Sequence, residues 1–115
     1  MPDIQKIAET AQAIYEAEKD DLVNKLAPDI SCAFENGDSY IISSSLYWQT
    51  VKVYIIPLLE ALNYGVASTR DYDLIYSFYT SMIMNDIQKW IWGEYPIKKI
   101  SMVTQDDKSI ILTEI

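Results

Sequence analysis

The sequence of 115 residues contains no histidine and a single cysteine, Cys32. The missing histidine excludes sites in which an imidazole activates a serine or cysteine nucleophile. It also excludes the common zinc sites, which are built from histidine and several cysteines. Only three glycines are present, and none lies in a phosphate-binding loop of the Walker or dinucleotide type. We therefore expect a protein that is not an enzyme, with no catalytic residues, no metal site and no cofactor.

The sequence also lacks the elements of a disulfide bond, an export signal and a membrane span. One cysteine cannot form a disulfide within the chain, which is typical of a reducing compartment. The N-terminus has no basic segment followed by an apolar core. The longest wholly apolar run, Val53–Leu59, contains Pro57 and is far too short to cross a bilayer. We expect one domain over residues 1–115, located in the cytoplasm.

Acidic residues outnumber basic ones by 17 to 9, and the net charge is −8. Residues 1–38 hold nine acidic and three basic side chains, which account for −6 of that total. A negative field repels nucleic-acid phosphates and anionic lipids, so we expect neither nucleic acid nor a membrane as a partner. It attracts a protein with a basic surface, although such a charge can also serve solubility alone. The candidate partner-binding acids are Glu16, Glu18, Asp20, Asp21, Glu35 and Asp38.

Aromatic side chains are a second resource for binding, because nine tyrosines and three tryptophans exceed the needs of a small core. Tyrosine and tryptophan bury a large area while keeping a polar tip, which suits protein interfaces. We select Tyr72, Tyr76 and Trp92, on or beside the most regular helical segment, as candidate anchors. The alternative is that they are ordinary half-buried packing residues.

That helical segment is the clearest local signal in the chain. Apolar residues from Leu74 to Trp92 recur at spacings of three and four, which predicts a central helix over about residues 70–92. Ser68 or Thr69 can cap its start, and Gly93 can end it with a left-handed conformation.

The polar face of the predicted central helix has no charge between Asp73 and Asp86. Solvated helix faces commonly carry lysine and glutamate, so this face is either buried in the domain or used for association. The uncharged residues are Ser77, Thr80, Ser81 and Asn85. A homodimer through the central helix is therefore a possible assembly.

Residues 3–27 predict an amphipathic helix that ends at Pro28, with Glu18 interrupting its apolar stripe. Residues 30–43 predict a β-hairpin whose three-residue loop, 35–37, places Gly37 in a left-handed position. In that hairpin Cys32 faces inward. Residues 43–65 predict a helix kinked at Pro57, and the competing interpretation is a strand over 46–55 followed by a short helix.

A second hairpin is predicted from residues 97–104 and 109–115. A three-residue loop places Ile100, Met102, Ile110 and Leu112 on one face, whereas a two- or four-residue loop pairs Lys99 with Glu114; the sequence does not decide between them. The predicted fold is α+β: about three helices packed on one face of a small antiparallel sheet made of two hairpins, in the order α-ββ-α-α-ββ.

We expect the chain to be a non-enzymatic, acidic protein-interaction domain. The leading hypothesis is an inhibitor, immunity or anti-defence protein that binds a basic site on a partner protein. One alternative is an oligomeric structural or assembly subunit that uses the uncharged face of the central helix. The other is a small-molecule-binding domain with a pocket between the helices and the sheet.

Overall fold

Two long helices, α1 and α4, form the frame of the protein, and a kinked helix and a three-stranded sheet complete it. The computed structural model describes residues 3–115. The helices are α1 (Ile4–Glu35), α2 (Ser44–Thr50), α3 (Ile56–Ala61) and α4 (Thr69–Trp92), and the strands are β1 (Tyr40–Ile42), β2 (Ile100–Thr104) and β3 (Ile110–Glu114). Over residues 3–115, no helix has the length and apolar character that crossing a membrane requires.

The predicted α+β class is confirmed, since three helical bodies pack against a small antiparallel sheet. The core lies mainly between α1 and α4. Both helices contribute residues at three- and four-residue spacing that are fully buried, including Ile7, Ile14 and Ile30 from α1 and Ile75, Ile83 and Ile87 from α4. Phe34 stacks on Trp92 at 6.3 Å between ring centroids, so the carboxyl ends of the two helices meet.

The predicted end of the first helix at Pro28 is wrong, and so is the predicted hairpin over residues 30–43. Pro28 lies inside α1, which continues to Glu35. A proline in a helix interior costs about 3 kcal/mol, because it removes one backbone hydrogen bond and crowds a carbonyl. Beyond it, however, Ile30 and Phe34 continue the buried stripe. Burying two such side chains contributes roughly 1.5–3 kcal/mol each, which offsets the cost.

Gly37 has the left-handed conformation that was predicted, with φ of 77°, but it ends α1 instead of turning a hairpin. The Gly37 amide donates to the Phe34 carbonyl at 3.0 Å, and the Asp38 amide donates to the Ala33 carbonyl at 2.9 Å. This pair of bonds is a Schellman motif, which satisfies the last carbonyls of a helix. Both a hairpin loop and a helix terminus require a residue with positive φ, so a glycine alone does not distinguish them.

Residues 44–61 form a helix that is disturbed at Pro57, as the preferred prediction stated, and the competing strand is wrong. A π-helical segment, Val51–Ile55, separates α2 from α3. Pro57 has no amide hydrogen to donate to the Val53 carbonyl. The preceding turn contains one extra residue, so the Ile56 amide donates to the Val51 carbonyl, five residues earlier, instead of four. Asn63, with φ of 52°, follows the end of α3.

The central helix matches its prediction closely. Ser68 and Asp71 form a capping box, in which the Ser68 amide donates to Asp71 Oδ2 at 2.8 Å and the Asp71 amide donates to Ser68 Oγ at 3.4 Å. Hydrogen bonds to its carboxylate, the one from the Ser68 amide foremost, lower the pKa of Asp71. Gly93 ends the helix with φ of 93°.

The sheet has the strand order β1-β3-β2, with both pairs antiparallel. Met102 pairs with Leu112, and of the two registers that the sequence left open this selects the one in which Ile100, Met102, Ile110 and Leu112 share a face. The Gln105 amide donates to the Ser109 carbonyl at 2.8 Å and closes a three-residue loop. One strand of the predicted first hairpin is therefore real, but β1 pairs with β3 and not with residues 30–34.

The helical path through residues 28–35 can be tested with two neighbouring substitutions. In the predicted hairpin both Ile30 and Cys32 faced inward, whereas in α1 Ile30 is 0% exposed and Cys32 lies at the surface. Ile30→Ala should lower the free energy of unfolding in urea by about 2–5 kcal/mol, because it leaves a cavity. Cys32→Ala should change it by less than about 0.5 kcal/mol. Comparable losses from both variants would contradict the helix.

Candidate functional site

The side chain that interrupts the apolar stripe of α1, Glu18, marks the first candidate site. It occupies a position between Ile14 and Leu22, both buried, yet it is partly accessible. A carboxylate at a core-facing position is costly unless it is hydrogen-bonded or reached by water. Here the Tyr54 hydroxyl donates to Glu18 Oε1, and the remaining side of the carboxylate faces an open groove.

This acidic groove has a volume of about 310 Å³ and lies between α1 and the kinked helix. Asp21 stands one helical turn from Glu18 on the same wall, and Lys25 stands one turn further. The groove thus carries two carboxylates and one ammonium group. Its full lining is Glu18, Asp21, Leu22, Lys25, Leu46, Gln49, Thr50, Val53, Tyr54 and Tyr79.

The opposite wall of the acidic groove exists because of Pro57. The π-helical segment that precedes Pro57 supplies Val53 and Tyr54, both of which line the groove. π-helical insertions change the phase of the side chains that follow and occur frequently at functional sites. The hydrogen bond to Glu18 is the main cause of the raised pKa of Tyr54, and burial adds to it. Tyr54 therefore remains a protonated donor that orients Glu18 at neutral pH.

The acidic stretch at residues 16–21 does not form one surface. Successive residues of an α-helix point about 100° apart, so the stretch is divided around α1. Glu18 and Asp21 line the acidic groove, whereas Asp20 lies on another side of the helix beside Asp86 of α4. Glu16 points to solvent, where Lys19 pairs with it at 3.1 Å and Gln12 donates to it at 2.8 Å.

The other predicted partner-binding acids lie at the far end of the molecule. Glu35 is the last residue of α1 and is about 25 Å from Glu18 along the helix axis, at 1.5 Å per residue. Asp38 follows the Schellman motif and is exposed. Neither residue lines the acidic groove.

The predicted aromatic anchors are largely packing residues. Tyr76 is 3% exposed and belongs to the core, so it is not presented to a docking protein. Tyr72 and Trp92 are half-buried and pack against the core. The burial of Tyr76 corrects its selection as a candidate anchor, whereas the selection of Tyr72 and Trp92 stays a prediction.

Residues that sequence reasoning left out of the site lie beside the acidic groove. Gln49 and Val53 line the groove, and Val53 is 49% exposed; Trp48, which is 57% exposed, lies outside the lining and contacts Tyr47. Two signals in the sequence pointed here: the acidic residue in an apolar stripe, and a proline within a helical pattern. Neither signal indicated that the two features would face each other.

The uncharged face of α4 is open to solvent over much of its length. Ser77, Ser81 and Asn85 are exposed, and only Thr80 of the four selected residues is buried. Thr80 donates its hydroxyl to the Tyr76 carbonyl at 2.8 Å. Phe78, which the periodicity placed inward, is 40% exposed. This face therefore presents an aromatic ring among uncharged polar groups.

A scan against protein-family models found no match, and searches of the curated proteins and of the solved structures found none either. Within residues 3–115, no group of three or more carboxylate or thiol side chains is arranged to hold a metal ion. The acidic groove is thus interpreted from its own chemistry.

A second groove, the Asp86 groove, lies across α1 from the acidic one and is lined by Tyr15, Lys19, Asp20, Val23, Asn24 and Asp86. The Tyr15 hydroxyl donates to Asp86 Oδ2 at 2.5 Å. Ionised tyrosine cannot donate this bond and is repelled by the carboxylate. The hydrogen bond, followed by burial, raises the pKa of Tyr15 from 10.0 to about 12.

The titration of Tyr15 can be followed by the NMR shift of its ring Cζ carbon. Because the folded-state pKa is the higher one, the bond stabilises the fold fully below pH 10 and is lost as the pH rises toward about 12. Asp86→Asn should return the pKa of Tyr15 toward 10. Asp20→Asn is the matched control and should change it much less, because Asp86 provides the direct bond. An unchanged pKa in Asp86→Asn would contradict the geometry.

Proposed function

We propose that the protein is a non-enzymatic interaction domain that binds a basic segment of a partner protein in the acidic groove. The observation that carries the proposal is Glu18, a carboxylate held by Tyr54 at a core-facing position and open toward Asp21. The lack of histidine supports a binding role over a catalytic one. An inhibitor, immunity or anti-defence protein that occupies a basic site is the functional class most consistent with this chemistry.

The dimensions and polarity of the acidic groove suit a lysine or arginine side chain. Its floor contains apolar atoms of Leu22, Leu46 and Val53, which can pack against the aliphatic part of a long basic side chain. The carboxylates of Glu18 and Asp21 can then receive the charged end. The net charge of −8 adds long-range attraction, which raises the association rate more than the final affinity.

Trp48 is the aromatic anchor that this proposal requires in place of Tyr72, Tyr76 and Trp92. Its indole ring lies edge-on to the buried ring of Tyr47 at 4.9 Å between centroids, which fixes its position while leaving most of it exposed. A cation placed over an indole face gains about 0.5–2 kcal/mol. Trp48 lies outside the lining of the acidic groove, so a basic partner segment must extend from the groove across α2 to reach this ring.

The uncharged face of α4 supports a second candidate, a homodimer. The exposed ring of Phe78 lies between Ser77 and Ser81, and this face has no charge to oppose a second copy. Self-association through this face would make the protein an oligomeric assembly subunit. The proposal for either role includes a reducing, cytoplasmic location, which the single cysteine supports.

Two double variants with identical net charge separate groove binding from general electrostatic attraction. The double variant Glu18→Gln/Asp21→Asn removes both groove carboxylates while leaving an acceptor for Tyr54. We expect it to weaken binding of an oligolysine peptide roughly tenfold, at about 0.7 kcal/mol for each exposed ion pair. The measurement is an NMR titration at low salt, in which signals of Gln49, Val53 and Tyr54, which line the groove, should shift.

The matched control is Glu16→Gln/Asp20→Asn, which removes two charges from the other sides of α1. It should weaken binding less than about twofold, because neither carboxylate reaches the groove. Equal losses in the two double variants would show that the peptide responds to net charge alone, and the groove proposal would then be abandoned.

The homodimer is tested by light scattering at increasing protein concentration. Phe78→Glu should abolish concentration-dependent association, because it places a like charge at the centre of the uncharged face. Val66→Glu introduces the same charge at a fully exposed apolar residue outside α4 and should leave the assembly intact. A wild-type protein that stays monomeric at the highest concentration rules out this candidate.

A further inference from the structure

The outer edge of β2 carries backbone groups that have no partner. The strand order β1-β3-β2 pairs β3 on both sides and leaves one side of β2 open. The Gln105 amide donates to the Ser109 carbonyl at 2.8 Å, and hydrogen bonding alternates along an antiparallel strand, so the odd-numbered residues of β2 bond to β3. The amides and carbonyls of Met102 and Thr104 therefore point outward. Among residues 3–115, no group bonds to them on that side.

Ile100 has the same outward orientation, but a side chain of α4 already occupies its amide. The Ile100 amide donates to Gln88 Oε1 at 3.2 Å. The side-chain carbonyl of Gln88 thus lies where the backbone carbonyl of a further strand would lie. The open part of the edge is therefore centred on Val103, with Met102 and Thr104 on either side of it.

The open edge of β2 lacks the features that usually keep a strand from pairing with another chain. Those features include lysine or proline in the strand and a very short length. The strand at the other edge of the sheet, β1, has only three residues. In contrast, β2 has five residues with no charge and no proline among them. Its Val103 is 52% exposed. The edge of β2 can therefore accept a further strand.

The charges on either side of β2 indicate which strand fits this edge. Lys98 and Lys99 precede β2, whereas Asp106 and Asp107 follow it. In an antiparallel pair of two β2 strands centred on Val103, the basic end of each strand lies beside the acidic end of the other. A second copy of this chain is therefore complementary to the edge in charge as well as in hydrogen bonding.

We propose that two copies of the chain pair through the outer edges of their β2 strands. Each copy contributes three strands, so the dimer has one continuous antiparallel sheet. Met102 of each copy exchanges hydrogen bonds with Thr104 of the other, and the two Val103 side chains meet at the twofold axis. Residues opposite each other without hydrogen bonds have Cα atoms about 4.5 Å apart, which brings their side chains into contact. This inference rests on the homodimer, the second candidate function, and is independent of the acidic groove.

The uncharged face of α4 is continuous with the open edge of β2. Ser77 and Thr104 line the same cavity, and Gln88 bonds to Ile100, so this side of α4 runs beside the edge. A twofold axis perpendicular to the sheet keeps α4 of both copies on the same side of the sheet. The two uncharged faces, on which Phe78 is exposed, then approach each other across the axis. The edge and the helix face therefore form a single surface for a second copy.

The test is amide hydrogen exchange of the full chain, followed by NMR at low and high protein concentration, with light scattering to establish the oligomeric state. Pairing through β2 should slow the exchange of the Met102 and Thr104 amides at least about tenfold at high concentration, because they gain hydrogen bonds. A dimer in which these two amides exchange as fast as in the monomer would overturn the inference, while the homodimer candidate would stand.

Two further outcomes of the exchange measurement are equally decisive. A chain that stays monomeric at the highest concentration overturns both the homodimer and its β2 interface, and leaves the acidic groove proposal standing. If an oligolysine peptide protects the Met102 and Thr104 amides in a monomeric chain, the edge accepts a foreign strand and the inference fails.

Val103→Lys places two like charges across the twofold axis and should raise the dissociation constant of the dimer about tenfold or more. Ile41→Lys is the matched control. Ile41 is 62% exposed and pairs with Ile111, as Val103 does from the other side, but it lies in β1 at the opposite edge. The control should change the dissociation constant less than about twofold, because its charge is remote from the axis. Equal effects of the two substitutions would overturn the inference.

A cysteine at the axis tests the register directly. In a Cys32→Ala background, Val103→Cys should form a disulfide-linked dimer with oxidised glutathione, because the Cα separation of about 4.5 Å across the axis is within the range that a disulfide requires. Ile41→Cys in the same background should remain largely unlinked. Absence of the linked dimer in Val103→Cys, or equal linking in the two variants, would contradict the pairing centred on Val103.

Discussion

The burial of one continuous apolar stripe between α1 and α4 is the constraint on which the rest of the structure depends. It carries α1 through Pro28, because Ile30 and Phe34 remain in phase with the residues before the proline. The helix therefore ends at Gly37 and not at Ala27, with Phe34 stacked on Trp92. That end point sets where the chain turns back, and it leaves room only for the short strand β1 at the edge of the sheet.

The two internal prolines produce different outcomes from the same missing hydrogen bond. Pro28 is accommodated within a regular helix, whereas Pro57 is preceded by a π-helical segment and then begins α3. The extra residue turns Val53 and Tyr54 toward α1, where Tyr54 meets Glu18. The π-helical segment before Pro57 thus forms one wall of the acidic groove. Glu18, the polar residue in the apolar stripe of α1, lies on the opposite wall.

Signals that depend on neighbouring residues were readable from the sequence, and those that depend on distant partners were not. The cap at Ser68 and the positive φ of Gly37 follow from local chemistry, whereas the loop length that pairs Met102 with Leu112 was left open by the sequence. Gly37 suits both a hairpin and a helix end, and only the packing of Phe34 on Trp92 distinguishes them. The 100° step of an α-helix is sufficient to predict that Asp20 and Asp21 point to different sides of α1. The contact between Tyr54 and Glu18 could not be predicted in the same way, because the π-helical segment before Pro57 changes the direction in which Tyr54 points.

The helix α2 separates the acidic groove from an ion pair on its other side. The Tyr47 hydroxyl donates to Asp73, with which Lys108 pairs at 2.9 Å, whereas Gln49 and Thr50 line the acidic groove. At physiological ionic strength, charges further apart than about 8 Å are largely screened. The charges that line the groove, Glu18, Asp21 and Lys25, therefore dominate the electrostatic field inside it, and the remaining part of the net charge of −8 acts mainly at low salt.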